Sequence, residues 1–86
     1  MIRVRVRLLA GLAAALGHDK LVLELPEDAK VATLLEKLMR MSEKLRAMIE
    51  DDEMSVVVLV NGKPAHPDTR LRDNSEVVIA PGMVGG

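Results

Sequence analysis

The chain opens on a strict alternation. Ile2, Val4, Val6 and Leu8 are apolar, and Arg3, Arg5 and Arg7 stand between them. A period of two puts the apolar set on one face and the arginines on the other, which predicts a strand with one side on a core. The Ala-rich "AGLAAALG" follows and predicts one or two helical turns closed by Gly17. "KLVLEL" predicts a second strand, stopped by Pro26 and close enough in sequence to pair antiparallel with the first. From Val31 the period changes: Val31, Leu34, Leu35, Leu38, Met41, Leu45, Met48 and Ile49 recur at three-four spacing, the stripe of an amphipathic helix. One helix, or two turning near Ser42, satisfies that stripe equally. Thr33 and Glu36 have the spacing of a capping box, and Asp28 offers an alternative start.

The acidic "EDDE" at 50–53 ends the helical stretch. "SVVVLV" predicts a buried strand, and "NGK" after it predicts a hairpin, because Asn-Gly favours a type I′ turn. Pro64 and Pro67 limit the next segment to a short edge strand or a loop. "DTRLRDNSE" is turn-rich, and "EVVIA" predicts the last strand. Two strands, a helical stretch and two or more strands imply an α+β fold, a mixed sheet with helices on one face. Parallel pairing of the first and last strands at the centre gives a β-grasp, ubiquitin-like arrangement. The expected organisation is one β-grasp domain over 1–80 and a flexible tail over 81–86.

Composition narrows the classes. At 86 residues there is room for one domain. Phe, Tyr and Trp are absent, so Leu, Val, Ile, Ala and Met must fill the core. A net charge of −1 argues against a nucleic-acid partner. The absence of cysteine excludes disulfides, thiolate metal sites and a cysteine nucleophile, and fits a reducing cytoplasm. The charged alternation at the start is unlike a signal peptide, and no apolar run is long enough for a membrane helix.

Conventional catalytic parts are missing. His18 and His66 do not have metal-pair spacing, and Glu50, Asp51, Asp52 and Glu53 lack the pattern of a calcium loop. These residues are expected on the surface, with no metal bound. Arg3, Arg5 and Arg7 form a basic row that serves solubility or docks an acidic partner. Met39, Met41 and Met48 are expected to fill the core or flank the helix.

The end of the sequence, "APGMVGG", is the remaining candidate. A terminal carboxylate has a pKa of about 3.3–3.7, so at neutral pH it is ionised and a poor electrophile. It reacts once another enzyme activates it, for instance as an acyl-adenylate. Glycine, lacking Cβ, lets such an enzyme's backbone approach closely.

"VVVLVNGKPAHPDTRLRDNSEVVIAPGMVGG" resembles the MoaD/ThiS family of ubiquitin-like sulfur carriers, most closely the molybdopterin synthase small subunit. The matching elements are "VNGK", "DTRLRDNSEVVI" and the proline-bearing tail ending in Gly-Gly; "VRLLAGLAAALG" and "VATLLEKL" look like the family's first strand and main helix. The resemblance implies a carrier rather than an independent enzyme. Its terminal Gly86 would be adenylated by an E1-like enzyme using ATP, then converted to a thiocarboxylate. Pro81, Gly82, Met83, Val84 and Gly85 would insert into a partner, the molybdopterin synthase large subunit. No cofactor would be stably bound. Two alternatives use the same glycine: an archaeal-type modifier conjugated to lysines, and a thiamine-type sulfur carrier. A β-grasp interaction module with an inert tail is a further reading. The chain departs from the family's common pattern at Ala80, where an aromatic is frequent, at Gly82, where a second proline is, and at Asn74-Ser75, where Gly-Asp is.

Overall fold

The computed structural model describes residues 1–51 and 56–82. Strand β1 spans Ile2–Leu8, helix α1 Gly11–Leu16, β2 Lys20–Leu25, α2 Val31–Met41, α3 Glu43–Glu50, β3 Val56–Val60, β4 Lys63–Pro64 and β5 Glu76–Pro81. The five strands form one sheet in the order β2-β1-β5-β3-β4. β1 pairs antiparallel with β2 and parallel with β5, and β5 pairs antiparallel with β3. The first and last strands thus lie side by side at the centre, the β-grasp arrangement.

The alternation of β1 appears directly as burial: Ile2, Val4, Val6 and Leu8 are buried and the three arginines exposed. Leu23, Leu25, Val58, Val77 and Ile79 join them, and Leu12, Val31, Leu34, Leu38 and Leu45 complete the core from the helices. Aliphatic side chains alone close it. β3 differs from the expected buried strand: only Val58 of its five residues is buried, with Val57 and Leu59 on the open side of the sheet and Val56 and Val60 half-buried against the core.

The helical stretch is two helices. Ser42 between them is extended, with φ −154° and ψ 125°. Its Oγ accepts from the Leu45 N–H at 3.2 Å, capping α3, and donates to the Ala15 carbonyl of α1 at 3.2 Å. One hydroxyl therefore ends one helix, starts the next and ties the second to α1. Replacing it, as Ser42→Ala, should cost about 1 kcal/mol, read as a lower midpoint in urea unfolding. Met41, the last residue of α2 and expected to fill the core or flank the helix, is 49% exposed.

Neither expected start of α2 is used. Val31 is its first residue, and Thr33 Oγ1 accepts from the Lys30 N–H at 3.1 Å. The Val31 and Ala32 N–H groups bond to the carbonyls of Thr69 and Pro67, each at 2.9 Å. Free donors of a helix start must find partners, and here a distant loop provides them.

The turns carry the expected backbone. Asn61 and Gly62 have φ 50° and 81°, as a type I′ hairpin requires. Asn74 has φ 66° at the position where glycine is common in the resembled family. Asn tolerates this left-handed region better than most residues, so Asn74→Gly should leave stability within about 0.5 kcal/mol. By the same logic Asn74→Val should destabilise by 1 kcal/mol or more, on the order of the cost of backbone strain. Thermal unfolding of the two variants checks the pair.

Candidate functional site: the root of the tail and the open sheet face

The open face of the sheet and the end of β5 meet at one place. β5 lies between β1 and β3, and Pro81 is its last residue, opposite Val56. Proline has no N–H to donate, so a strand end is a site where it does little harm to the ladder. Gly82 follows, half-buried, and is the last described residue. The strand thus runs through Pro81. Met83, Val84, Gly85 and Gly86, the rest of the expected tail and its working residue, lie outside the described residues.

β1 and β5 are parallel, so the tail leaves from the end of the sheet where β1 finishes and β2 begins. The register places the open-face residues. Ala80 lies opposite Val57, and Val78 lies between Leu59 of β3 and Arg7 of β1. Arg7 in turn lies opposite Lys20 of β2, and Arg5 opposite Val22. Val22 and Val57 are 57% and 46% exposed, far more than core-facing valines. Ala80 and Val78 are half-buried. Small Ala80 beside Val57 leaves a low apolar surface next to the tail root.

The basic row is not uniform. Arg3 pairs with Glu24 and Arg5 with Glu76, each at 3.6 Å. Both pairs are well exposed and contribute little to stability. Arg7 has a lysine and a valine as cross-strand neighbours. The sequence alone treats the three arginines alike; only the register separates them.

The opposite end of the sheet is quieter. The Met1 α-amino group donates to Glu27 Oε1 at 2.9 Å, and this bond to a carboxylate raises its pKa above the ordinary 8.0. Such a raised group favours the fold below pH 8 and loses that contribution as pH rises through the raised value. Arg3 N–H donates to Asp73 Oδ1 at 2.8 Å, and buried Ser75 bonds through Oγ to Arg72 N–H and carbonyl at 3.0 and 2.7 Å. Ser75 thereby closes the turn in which Asn74-Ser75 stands where Gly-Asp is frequent.

His18 and His66 are exposed, and no group of carboxylates and histidines able to hold a metal occurs among the described residues. Glu50 of the acidic run pairs with Arg46 at 3.4 Å. Among the described residues no helix is long and apolar enough to cross a membrane.

A mixed five-stranded sheet with helices on one face and its last strand at the centre defines a protein of the ubiquitin-like β-grasp class. The chain belongs to the ThiS family, whose model matches residues 6–86. None of the curated proteins is similar enough in sequence to match it. Among solved structures it is similar to a Pyrococcus furiosus protein assigned as molybdopterin converting factor, subunit 1. That pair shares 29% identity and a TM-score of 0.86, over 96% of this chain and 100% of the other. Small archaeal modifier protein 1 of Methanosarcina acetivorans is similar at 29% identity and TM-score 0.80, over 100% and 98% of the two chains. The modifier protein 1 of Haloferax volcanii has the same fold, with a TM-score of 0.87 at 22% identity over 96% and 100%.

Proposed function

We propose that the chain is a sulfur carrier for molybdopterin synthesis and that Gly86 is its working residue. The observation that carries the reading is the family match running through Gly86, on a fold whose central strand ends at the tail root. The Pyrococcus neighbour supports the pterin pathway. In this reading the Gly86 carboxylate attacks the α-phosphate of ATP in an E1-like enzyme, and pyrophosphate leaves. A sulfur nucleophile then displaces AMP, leaving a thiocarboxylate. Its sulfur is ionised and soft at neutral pH, a better nucleophile than the carboxylate, for the reason thiolates outperform thiols. Residues Pro81–Gly85 thread into the large subunit of the synthase, where sulfur passes to the pterin precursor and water restores the carboxylate. ATP belongs to the activating enzyme, and this chain binds no cofactor of its own.

A second reading is favoured by the Methanosarcina neighbour, a modifier protein at equal identity. In it the same adenylate is attached to lysines of target proteins. Deleting the gene in the host separates the two. Loss of molybdopterin, restored by the full chain, is the expected result. Unchanged molybdopterin with loss of a ladder of conjugates would replace the carrier reading with the modifier.

A further inference from the structure

The two edges of the sheet are built differently. Among the described residues one edge is β4, only Lys63–Pro64, and a short strand ending in proline is a poor template for pairing. The other edge is β2, with β1 on one side and no strand on the other. Its backbone phase follows from its neighbours. The Leu8 N–H bonds to the Asp19 carbonyl at 2.8 Å, and the Arg5 N–H turns the other way, to the Ser75 carbonyl at 2.9 Å. Bonded and non-bonded pairs alternate along an antiparallel ladder. Leu21, Leu23 and Leu25 therefore bond to β1, while the N–H and C=O groups of Lys20, Val22 and Glu24 point off the edge. The Glu24 carbonyl agrees with that phase, since it accepts from Lys37 Nζ at 2.8 Å. The side chains of Lys20, Val22 and Glu24 are all exposed, in the order cation, apolar, anion.

That order is self-complementary. A two-fold axis through Val22 runs the β2 strands of two copies antiparallel. It sets Lys20 opposite Glu24 of the second copy, Val22 opposite Val22, and Glu24 opposite Lys20. Every facing pair then has outward backbone groups and exchanges both hydrogen bonds. Opposite charges facing across strands are favourable, and like charges are not. Other registers lose this match. A slip in one direction sets Lys20 opposite Pro26, which has no N–H to donate. A slip in the other sets Lys20 opposite Val22 and leaves Glu24 facing His18, outside the strand. Parallel in-register pairing sets lysine against lysine and glutamate against glutamate. In the free chain Lys20 faces Arg7 and makes no ion pair among the described residues. The second copy supplies the carboxylate it lacks.

We infer that β2 is a self-pairing edge, at which two copies of this chain join into one continuous sheet with Lys20 and Glu24 as the reciprocal contact. Such a contact is isologous and closes as a dimer. Lys37 stands at the edge without closing it, because the Glu24 carbonyl keeps a second lone pair. On the core side half-buried Leu21 meets Leu23 of the second copy. β5 is separated from the joined edge by β1, so both tail roots stay uncovered, and the two tails leave from opposite ends of the joined sheet. The pairing does not depend on the activation of Gly86.

A single strand pair buries less than the roughly 1,200 Å² of stable complexes, so the full chain should be monomeric at about 10 µM and half-associated between about 0.1 and 1 mM. Sedimentation equilibrium across that range reads the association, and amide hydrogen exchange places it. The outward amides of Lys20, Val22 and Glu24 should exchange more slowly as concentration rises, while exposed amides elsewhere do not change. Lys20→Glu and Glu24→Lys each make both symmetry-related contacts repulsive, and each should weaken association about tenfold or more. Both side chains are exposed, so the far-ultraviolet circular dichroism of each variant should match that of the unaltered chain. Combining Lys20→Glu with Glu24→Lys reverses the charges but keeps their complementarity, and should bring association back to within about threefold of the unaltered chain. A monomer at every concentration in the range would overturn the inference, leaving the edge to another chain or to none. Association that neither single variant weakens, or protection that appears elsewhere than on β2, would overturn it equally.

Discussion

Removing Gly86 should abolish activation while leaving the fold unchanged. The last buried core residue among the described ones is Ile79, and β5 ends at Pro81. The buried core of the described residues is therefore assembled without the final residue. A truncated chain should keep its far-ultraviolet circular dichroism and its thermal midpoint within about 1 °C, as a substitution-scale change outside the core does. It should nonetheless form no detectable adenylate and support no sulfur transfer. The carboxylate of Gly85 would still be present, but one residue short of the reacting phosphate, and catalytic groups misplaced by even about 1 Å lose on the order of a hundredfold in rate. Gly85→Val separates reach from shape. It keeps the length and the terminal carboxylate but adds a branched side chain where close backbone approach is required. Activation should fall by about a hundredfold or more on the same grounds. Full activity in the truncated chain would remove Gly86 from the account.

The largest effect on stability is expected at Leu34. It is fully buried on α2 among aliphatic neighbours from both helices and sheet. Leu34→Ala removes three carbon atoms and leaves a cavity, at a cost of about 2–5 kcal/mol. A domain of this size is held by only about 5–10 kcal/mol, so the variant should unfold far earlier in urea and be marginal at 37 °C. The aromatic-free core sharpens this expectation. No large ring spans the gap, and branched aliphatic side chains held in close packing relax only in part to fill it. Leu35 is a useful contrast, being half-buried at the rim of the same helix. Leu35→Ala should cost distinctly less in the same titration.

Elements governed by local periodicity could be read from the sequence. The alternation from Ile2 to Leu8, the Asn61-Gly62 turn and the closure of α1 by Gly17, at φ 88°, each follow from residues next to one another. The central parallel pairing followed from counting strands on either side of the helices. What the sequence hid was decided by distant partners. The spacing from Leu38 to Leu45 runs through the helix break without interruption, since both are buried; the break depends on a bond from Ser42 to Ala15, across 27 residues. The period change at Val31 marks the start of α2, but its capping was hidden for the same reason, its first donors being satisfied by the loop at Pro67–Thr69.

The candidate site divides along the same line. The proposal for its terminal chemistry rests on the Gly-Gly ending together with the family resemblance, and Met83–Gly86 lie outside the described residues. The position of its root came from the structure. The unequal roles of the three arginines came from the register alone: alternation says that Arg3, Arg5 and Arg7 share a face, but only pairing shows that two meet glutamates and one meets a lysine.

The measurement that tests the central claim most directly is the intact mass of this protein purified from its own host, kept free of thiol-reactive reagents. The expected result is a fraction in which one oxygen is replaced by sulfur, localised to Gly86 by fragmentation. An unmodified mass throughout, together with no conjugates to lysine in the same lysate, would contradict the account, because an activated terminus leaves one trace or the other.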